Sequence, residues 1–262
     1  NMMNLYKILM EFNLKITKNI ISSLHRRKFH LSFNLMGKTI PDNLKGKSTS
    51  SQSWLTRQLN DPYVRKARYE NYRCRSAFKL IEIDDKYNII KPGMIVIDCG
   101  AAPGSWTQVL VKRLELTGDQ PFKTGAVISI DIKPFSPVEG AIIMPLVDFT
   151  KPLNQANILH ALNGKKVDLI CSDMAPNATG IKTLDHDMIV TLCYSVFQFG
   201  TTVLKHDAGV CLVKFFDGNR TSKLLNDFEK FFHRVDIIKP LASRGDSAES
   251  FVLAREFKGI IN

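Results

Sequence analysis

From residue 94 to residue 254 the chain repeats one pattern: a short run of apolar and β-branched residues, then a stretch with helical spacing. The runs are 94–99 (MIVIDC), 126–131 (AVISID), 142–147 (IIMPLV), 167–172 (VDLICS), 209–216, 234–238 and 250–254. Helix-like stretches at 105–116, 153–163, 186–205 and 219–232 separate most of them. Strands divided by helices are joined by crossovers rather than hairpins, which makes the sheet mostly parallel. The expectation is an α/β, Rossmann-like fold: a mostly parallel seven-stranded sheet with helices on both faces. Such sheets bind ligands beyond the carboxyl ends of their strands. With 262 residues, 44% of them apolar, the chain can bury a large core.

One strand contains an anomaly. In GVCLVKFFDG (209–218), Lys214 interrupts an otherwise apolar run, where an ammonium faces a heavy desolvation penalty. Either the strand lies at a sheet edge and the lysine reaches water, or the charge has a partner and a task. Glu249, at the start of the last apolar run, repeats the oddity.

Charge points to an anionic partner, nucleic acid first and an anionic membrane second: the net formal charge is +11. No apolar run approaches the roughly 18 residues of a membrane span. The five cysteines show neither CxxC nor zinc spacing and mostly sit in apolar runs, as small core residues of a reducing compartment do. No metal site is expected. Residues 1–50 hold nine Lys/Arg against Glu11 and Asp42. Segment 1–38 has the basic and apolar, acid-poor composition of a mitochondrial transit peptide. Arg27, Phe29 and Ser32 match a matrix-processing spacing. A basic RNA-binding arm has the same composition. Residues 39–53, polar and carrying Gly46 and several Ser/Thr, read as a linker, and the main domain is expected over 54–262.

The candidate site residues lie where strands end. The first strand runs into Asp98-Cys99-Gly100-Ala101-Ala102-Pro103-Gly104-Ser105-Trp106, a turn of small residues that lets a ligand approach the backbone. Pro103 suits a turn or a first helical turn. Pro103 and Trp106 interrupt the G-x-G-x-x-G spacing that a dinucleotide pyrophosphate wants, so a nicotinamide dehydrogenase is disfavoured and a nucleoside such as S-adenosylmethionine fits better. Asp131, Asp148 and Asp173 close three successive strands. Each alone could be a cap or turn residue; together on one edge they suit ribose hydroxyls and a cationic sulfonium. Arg65, Lys66, Arg68, Arg73 and Arg75 alternate with Tyr63, Tyr69 and Tyr72, which suits RNA phosphates and stacked bases but also a solvated helix face. Arg244 could join them.

Four motifs in order, VIDCGAAPGSW, SDMAPNATG, CLVKFFDG and KPLASRGDSAE, resemble the FtsJ/RrmJ family of RNA 2′-O-ribose methyltransferases. Upstream, DPYVRKARYENYRCRSAFKLIEI resembles the family's first helix, and the likeness covers roughly 54–256. The resemblance implies a class I methyltransferase sheet using S-adenosyl-L-methionine, with Lys79, Asp173, Lys214 and Glu249 as a catalytic tetrad. It implies cofactor contacts at Gly104, Trp106, Asp131, Asp148 and Asp173. Within the tetrad it leaves Lys214 as base, Asp173 orienting it, and Lys79 and Glu249 positioning the amine or the ribose. Ser105 departs from the family's usual Gly, and Ser250-Phe251 from a common Val-Tyr. WLTRQLNDPYV, SDMAPNATG and LDHD look nearest the mitochondrial large-subunit rRNA branch. That implies modification, in the matrix, of a uridine of mitochondrial large-subunit rRNA, free or in a pre-ribosomal particle, in support of ribosome biogenesis; a monomer is the default expectation. A tRNA or cytosolic rRNA enzyme, and an idle RNA-binding assembly factor on the same fold, are the alternatives.

Overall fold

The computed structural model describes residues 41, 44–116, 125–245 and 247–259. The basic segment 1–38 lies outside them. The chain divides into two compact units, 1–65 and 66–262. In the first, helix α1 (Thr49–Asn60) is capped by Ser48, whose Oγ accepts the Ser51 amide at 3.3 Å. The helix therefore begins inside the stretch 39–53 that reads as a linker: the serines that suggest a loop supply its cap. No side chain described in α1 is fully buried.

Helix α2 (Pro62–Tyr69) bridges the two units in sequence, and helix α3 (Ala77–Tyr87) opens the larger one. The sheet strands are β1 (Ile95–Cys99), β2 (Ala126–Asp131), β3 (Ile142–Pro145), β4 (Leu169–Ser172), β5 (Val210–Phe216), β6 (Phe232–Ile238) and β7 (Glu249–Phe257). Helices α4 (Ser105–Leu114), α5 (Pro152–Leu162), α6 (Lys182–Val203) and α7 (Thr221–Phe231) connect them. The order across the sheet is β3-β2-β1-β4-β5-β7-β6. The first five strands in that order are parallel, and β7 runs antiparallel to both β5 and β6. Each sequence-based strand is present, with ends shifted by a few residues.

Alternation along the strands builds two cores. Ile97, Cys99, Cys211, Val213 and Phe215 pack under α5, α6 and α7, with Phe197 and Phe228 stacked at 4.6 Å between ring centres. Val96, Leu169, Leu212 and Phe251 pack under α3 and α4. Lys214 shares the second face with Leu212, two residues before it. Strand β5 lies between β4 and β7, which excludes the edge-strand explanation of Lys214. The topology also explains how Glu249 joins it. Because β7 runs backwards, its first residue pairs with Phe216, the last of β5, so a strand start meets the strand ends.

Asp98, in the central strand, is fully buried and accepts a hydrogen bond from the Thr107 hydroxyl at 2.8 Å. Its other oxygen has no partner among the described residues. Burial pushes its carboxyl from 3.8 to about 7, with the Thr107 bond opposing and the Asp173 charge adding to the rise. At Asp98 the folded chain therefore holds more proton than the unfolded chain between these values, and this group's contribution to stability falls as pH rises from about 4 to about 7. In urea titrations across pH, Asp98→Asn should remove that loss and exceed the wild type at pH 8 by up to roughly 4 kcal/mol. A difference between the two proteins that does not change with pH over this window would contradict it.

Candidate active site

Two lysines and two carboxylates meet at the carboxyl edge of the sheet. Asp173 follows β4 directly, Lys214 is the fifth residue of β5, Glu249 opens β7, and Lys79 comes from the first turn of α3. Lys214 Nζ donates to the Asp173 backbone carbonyl at 2.6 Å and lies 3.0 Å from Asp173 Oδ1. Lys79 Nζ donates to Glu249 Oε2 at 2.7 Å and reaches Asp173 Oδ1 at 3.5 Å. The cross-distance from Lys214 Nζ to Glu249 Oε2 is 3.9 Å. Two positive and two negative charges interleave, so no ion is buried without an opposite neighbour.

Burial alone would raise the Asp173 carboxyl. The Lys214 and Lys79 ammonium groups, with the Ser76 hydroxyl, outweigh it and hold Asp173 below the ordinary carboxylate range. Two hydroxyls that sequence reasoning missed complete the set. Ser76 donates to Asp173 Oδ2, and Ser243 donates to Glu249 Oε1 at 2.7 Å. The available signal was position: Ser76 precedes Lys79 by one helical turn, and Ser243 lies in the segment that leads into Glu249.

Beside the tetrad opens a cavity of about 620 Å³, a size suited to a nucleoside-scale ligand. Asp131, Asp148 and Asp173 all line it, with Met174, Pro176 and Met188 as apolar walls and Lys133 as a cation among the lining residues. Asp131 accepts the Ala102 and Lys133 amides at 2.8 and 2.7 Å, which fixes its carboxylate at the end of β2. Asp148 lies just beyond β3; hydrogen bonds from Thr150 chiefly lower its carboxyl. Three carboxylates around one cavity fit a ligand that carries hydroxyls and a positive charge, as S-adenosylmethionine does. Asp173 belongs to both cavity and tetrad.

Gly104 and Trp106 stand differently. Neither lines the cavity. The Trp106 indole is 2% exposed, packs on Phe251 and donates its N–H to the Ser76 carbonyl at 2.8 Å. It thus supports the residue that holds Asp173. Gly104 has φ 104°, and a Cβ there would overlap the Arg73 guanidinium. Pro103 lies in the turn, ahead of the helix that begins at Ser105.

The basic stretch also separates. Arg73 donates to the carbonyls of Pro103, Ser136 and Pro137 at 2.8, 2.5 and 2.5 Å, so it ties two loops together. Arg75 donates to the Ala242 carbonyl. Both guanidinium groups hold backbone carbonyls. Lys66 lies 4.4 Å over the Phe78 ring and 3.8 Å from Glu70. Arg65 donates to the Leu59 carbonyl at 3.1 Å. Arg68 is exposed and Arg244 partly exposed. Carbonyl acceptors contributed by distant loops leave no trace in a local sequence, and this is why all six arginines and lysines look alike there.

A doubly wound sheet with a carboxylate-lined nucleoside-sized cavity, joined to a buried Lys/Asp/Lys/Glu cluster, defines an enzyme of the Rossmann-like transferase class. The chain belongs to the FtsJ-like methyltransferase family, whose model matches residues 72–257. It is 54% identical over 220 residues to mitochondrial rRNA methyltransferase 2 of Drosophila melanogaster, covering 84% of this chain and 88% of that one. It is 44% identical over 215 residues to ribosomal RNA large subunit methyltransferase E of Xanthobacter autotrophicus, covering 82% of each. A crystal structure from Plasmodium falciparum, described as a ribosomal RNA methyltransferase, superposes with a TM-score of 0.63 at 29% identity over 72% of this chain and 100% of that one.

Replacing Arg73 by alanine should destabilise the fold by about 1–3 kcal/mol, read as a lowered Tm. Arg73→Lys should not restore it, since one ammonium cannot span three carbonyls from two loops. Full rescue by lysine would mean that charge, rather than the fork of donors, is what the loops require.

Proposed function

We propose that this methyltransferase uses S-adenosyl-L-methionine to methylate the ribose 2′-oxygen of a uridine in mitochondrial large-subunit rRNA. The observation that carries the reading is the shared carboxylate: Asp173 lines the cavity and also holds Lys214. When bound, the donor supplies an electrophilic methyl carbon on a sulfonium, whose bonding pair stays with sulfur on transfer. Asp131 is placed for the ribose hydroxyls of that donor, and the charges of Asp148 and Asp173 favour its cation.

The nucleophile is a ribose hydroxyl, which must lose its proton as the new O–C bond forms. Lys214 Nζ takes that proton. To do so the Lys214 ammonium must first release a proton to solvent; the amine so formed has two hydrogens and one lone pair, and two close acceptors, both on Asp173, lie beside it. With its hydrogens directed there, the lone pair remains for the incoming proton. A positioned base of this kind contributes about 10²–10⁴ in rate. Lys79 and Glu249 keep the second ammonium 2.7 Å from a carboxylate, which steadies Lys214 and leaves Lys79 to orient the ribose. Holding donor and acceptor in line supplies a further term of up to about 7–11 kcal/mol.

The rRNA substrate, as naked RNA or as a pre-ribosomal particle, is supported by the names of the two relatives and by the positive charge of the chain. Arg68, Arg244 and Lys66 are the basic side chains of the candidate set best placed to meet phosphate. Import into the mitochondrial matrix rests on the fly relative's name and on the basic composition of residues 1–38, and the chain acts there as a monomer in ribosome biogenesis.

Labelled S-adenosylmethionine with mitochondrial large-subunit rRNA or its precursor particle, followed by nucleoside analysis, tests the reaction. Wild type should yield 2′-O-methyluridine, and Lys214→Ala should lose at least about 10²-fold in kcat while still binding the donor. Base methylation, or full turnover by Lys214→Ala, would refute the reading.

A further inference from the structure

Ser76, Lys79 and Glu82 recur at every third residue, so they share one side of α3. The first two reach the tetrad carboxylates directly. Glu82 reaches something else: its Oε2 accepts the backbone amide of Ala242 at 2.9 Å. Arg75 donates to the carbonyl of the same residue. Both polar backbone groups of Ala242 are therefore held by side chains, one from just before α3 and one from its middle. The next residue is Ser243, whose hydroxyl fixes Glu249.

Packing buries Pro240, Ala242 and Ser243, but these two bonds are what orient the Ala242 peptide groups. Leu241, just before, is 84% exposed and buries almost nothing. The Ser243 amide makes only a turn bond to the Pro240 carbonyl at 3.0 Å. On the far side, Lys239 Nζ binds the Ser247 carbonyl at 2.7 Å, and the Ser247 hydroxyl accepts the Glu249 amide at 3.2 Å. Those contacts set the strand start but do not aim Ser243.

We propose that Glu82 and Arg75 are positioning residues for methyl transfer, clamping Ala242 at both ends so that Ser243 holds Glu249 against Lys79. The network then closes on itself, from α3 through Glu82, Ala242, Ser243 and Glu249 back to Lys79 on α3. It assigns Arg75 a role in orienting the tetrad rather than in gripping RNA. The inference rests on the tetrad being the catalytic site.

The test is a double-mutant cycle between Glu82→Ala and Ser243→Ala, with Glu82→Gln as the conservative variant, because its amide oxygen can still accept the Ala242 N–H. Three quantities are read on the full chain: kcat for rRNA methylation, donor affinity, and the ¹³C resonance of the Glu249 carboxyl at fixed pH. Glu82→Ala should lower kcat by about 10- to 100-fold, as expected for a misplaced group, with donor affinity unchanged. Glu82→Gln should recover most of the rate. The double variant should be no worse than the poorer single one, since both break the same chain of contacts. The Glu249 resonance should move in the same direction in Glu82→Ala as in Ser243→Ala.

Additive losses, or a Glu249 resonance unmoved by Glu82→Ala, would overturn the clamp. A Glu82→Ala protein with reduced Tm but wild-type kcat would also overturn it, by making Glu82 merely structural. If the wild type itself transferred no methyl group, the functional reading would fail, while the Glu249 resonance would still decide whether Glu82 positions it.

Discussion

The ion cluster around Asp173 is the constraint on which the rest of this structure depends. A lysine in the interior of a seven-stranded sheet is tolerable only if its charge is matched at close range. Lys214 meets that condition through the carbonyl and carboxylate of a single residue. Removing either partner would leave a buried charge exposed to its full desolvation penalty. The cluster therefore needs β4, β5 and the start of β7 in register, and it constrains the fold while the fold creates it. The same carboxylate lines the neighbouring cavity, so in the proposed reaction the donor and the proton acceptor are tied to one rigid point.

Support for the cluster is layered from one side. The start of α3 supplies Ser76 and Lys79, and the Trp106 indole beneath them fixes the Ser76 carbonyl. Arg73 joins the turn after β1 to the loop at 136–137, close to where β3 begins. Gly104 leaves room for that guanidinium, since a side chain there would displace it. The turn of small residues thus serves both the ligand edge and the packing of a structural arginine.

Much of this was legible in the chain itself. The alternation of apolar runs and helices gave the sheet, because a strand buried on both faces has few polar residues. That same rule made Lys214 and Glu249 conspicuous. Asp131, Asp148 and Asp173 stood out because they recur at the same place relative to successive strands. The carbonyl contacts of Arg73 and Arg75 were not legible, since an arginine bound to distant carbonyls and one facing phosphate occupy identical local sequence. The Trp106 indole is a buried ring with one hydrogen bond, to the Ser76 carbonyl, which its local sequence does not show. Ser76 and Ser243 were missed because serine is common at helix starts and turns, and only the third dimension shows which carboxylate each one meets. Helix α1 began inside a presumed linker because its serines serve equally as loop and cap.

The most direct measurement is of Asp173→Asn, comparing donor affinity with the single-turnover rate of methyl transfer to rRNA. The substitution keeps the size of the side chain and the backbone carbonyl that Lys214 uses, but removes the charge shared by cavity and tetrad. Donor binding should weaken and the transfer step should slow together, in a protein that remains folded by circular dichroism. A variant that binds the donor normally and transfers methyl groups at the wild-type rate would contradict a shared carboxylate at the centre of this site.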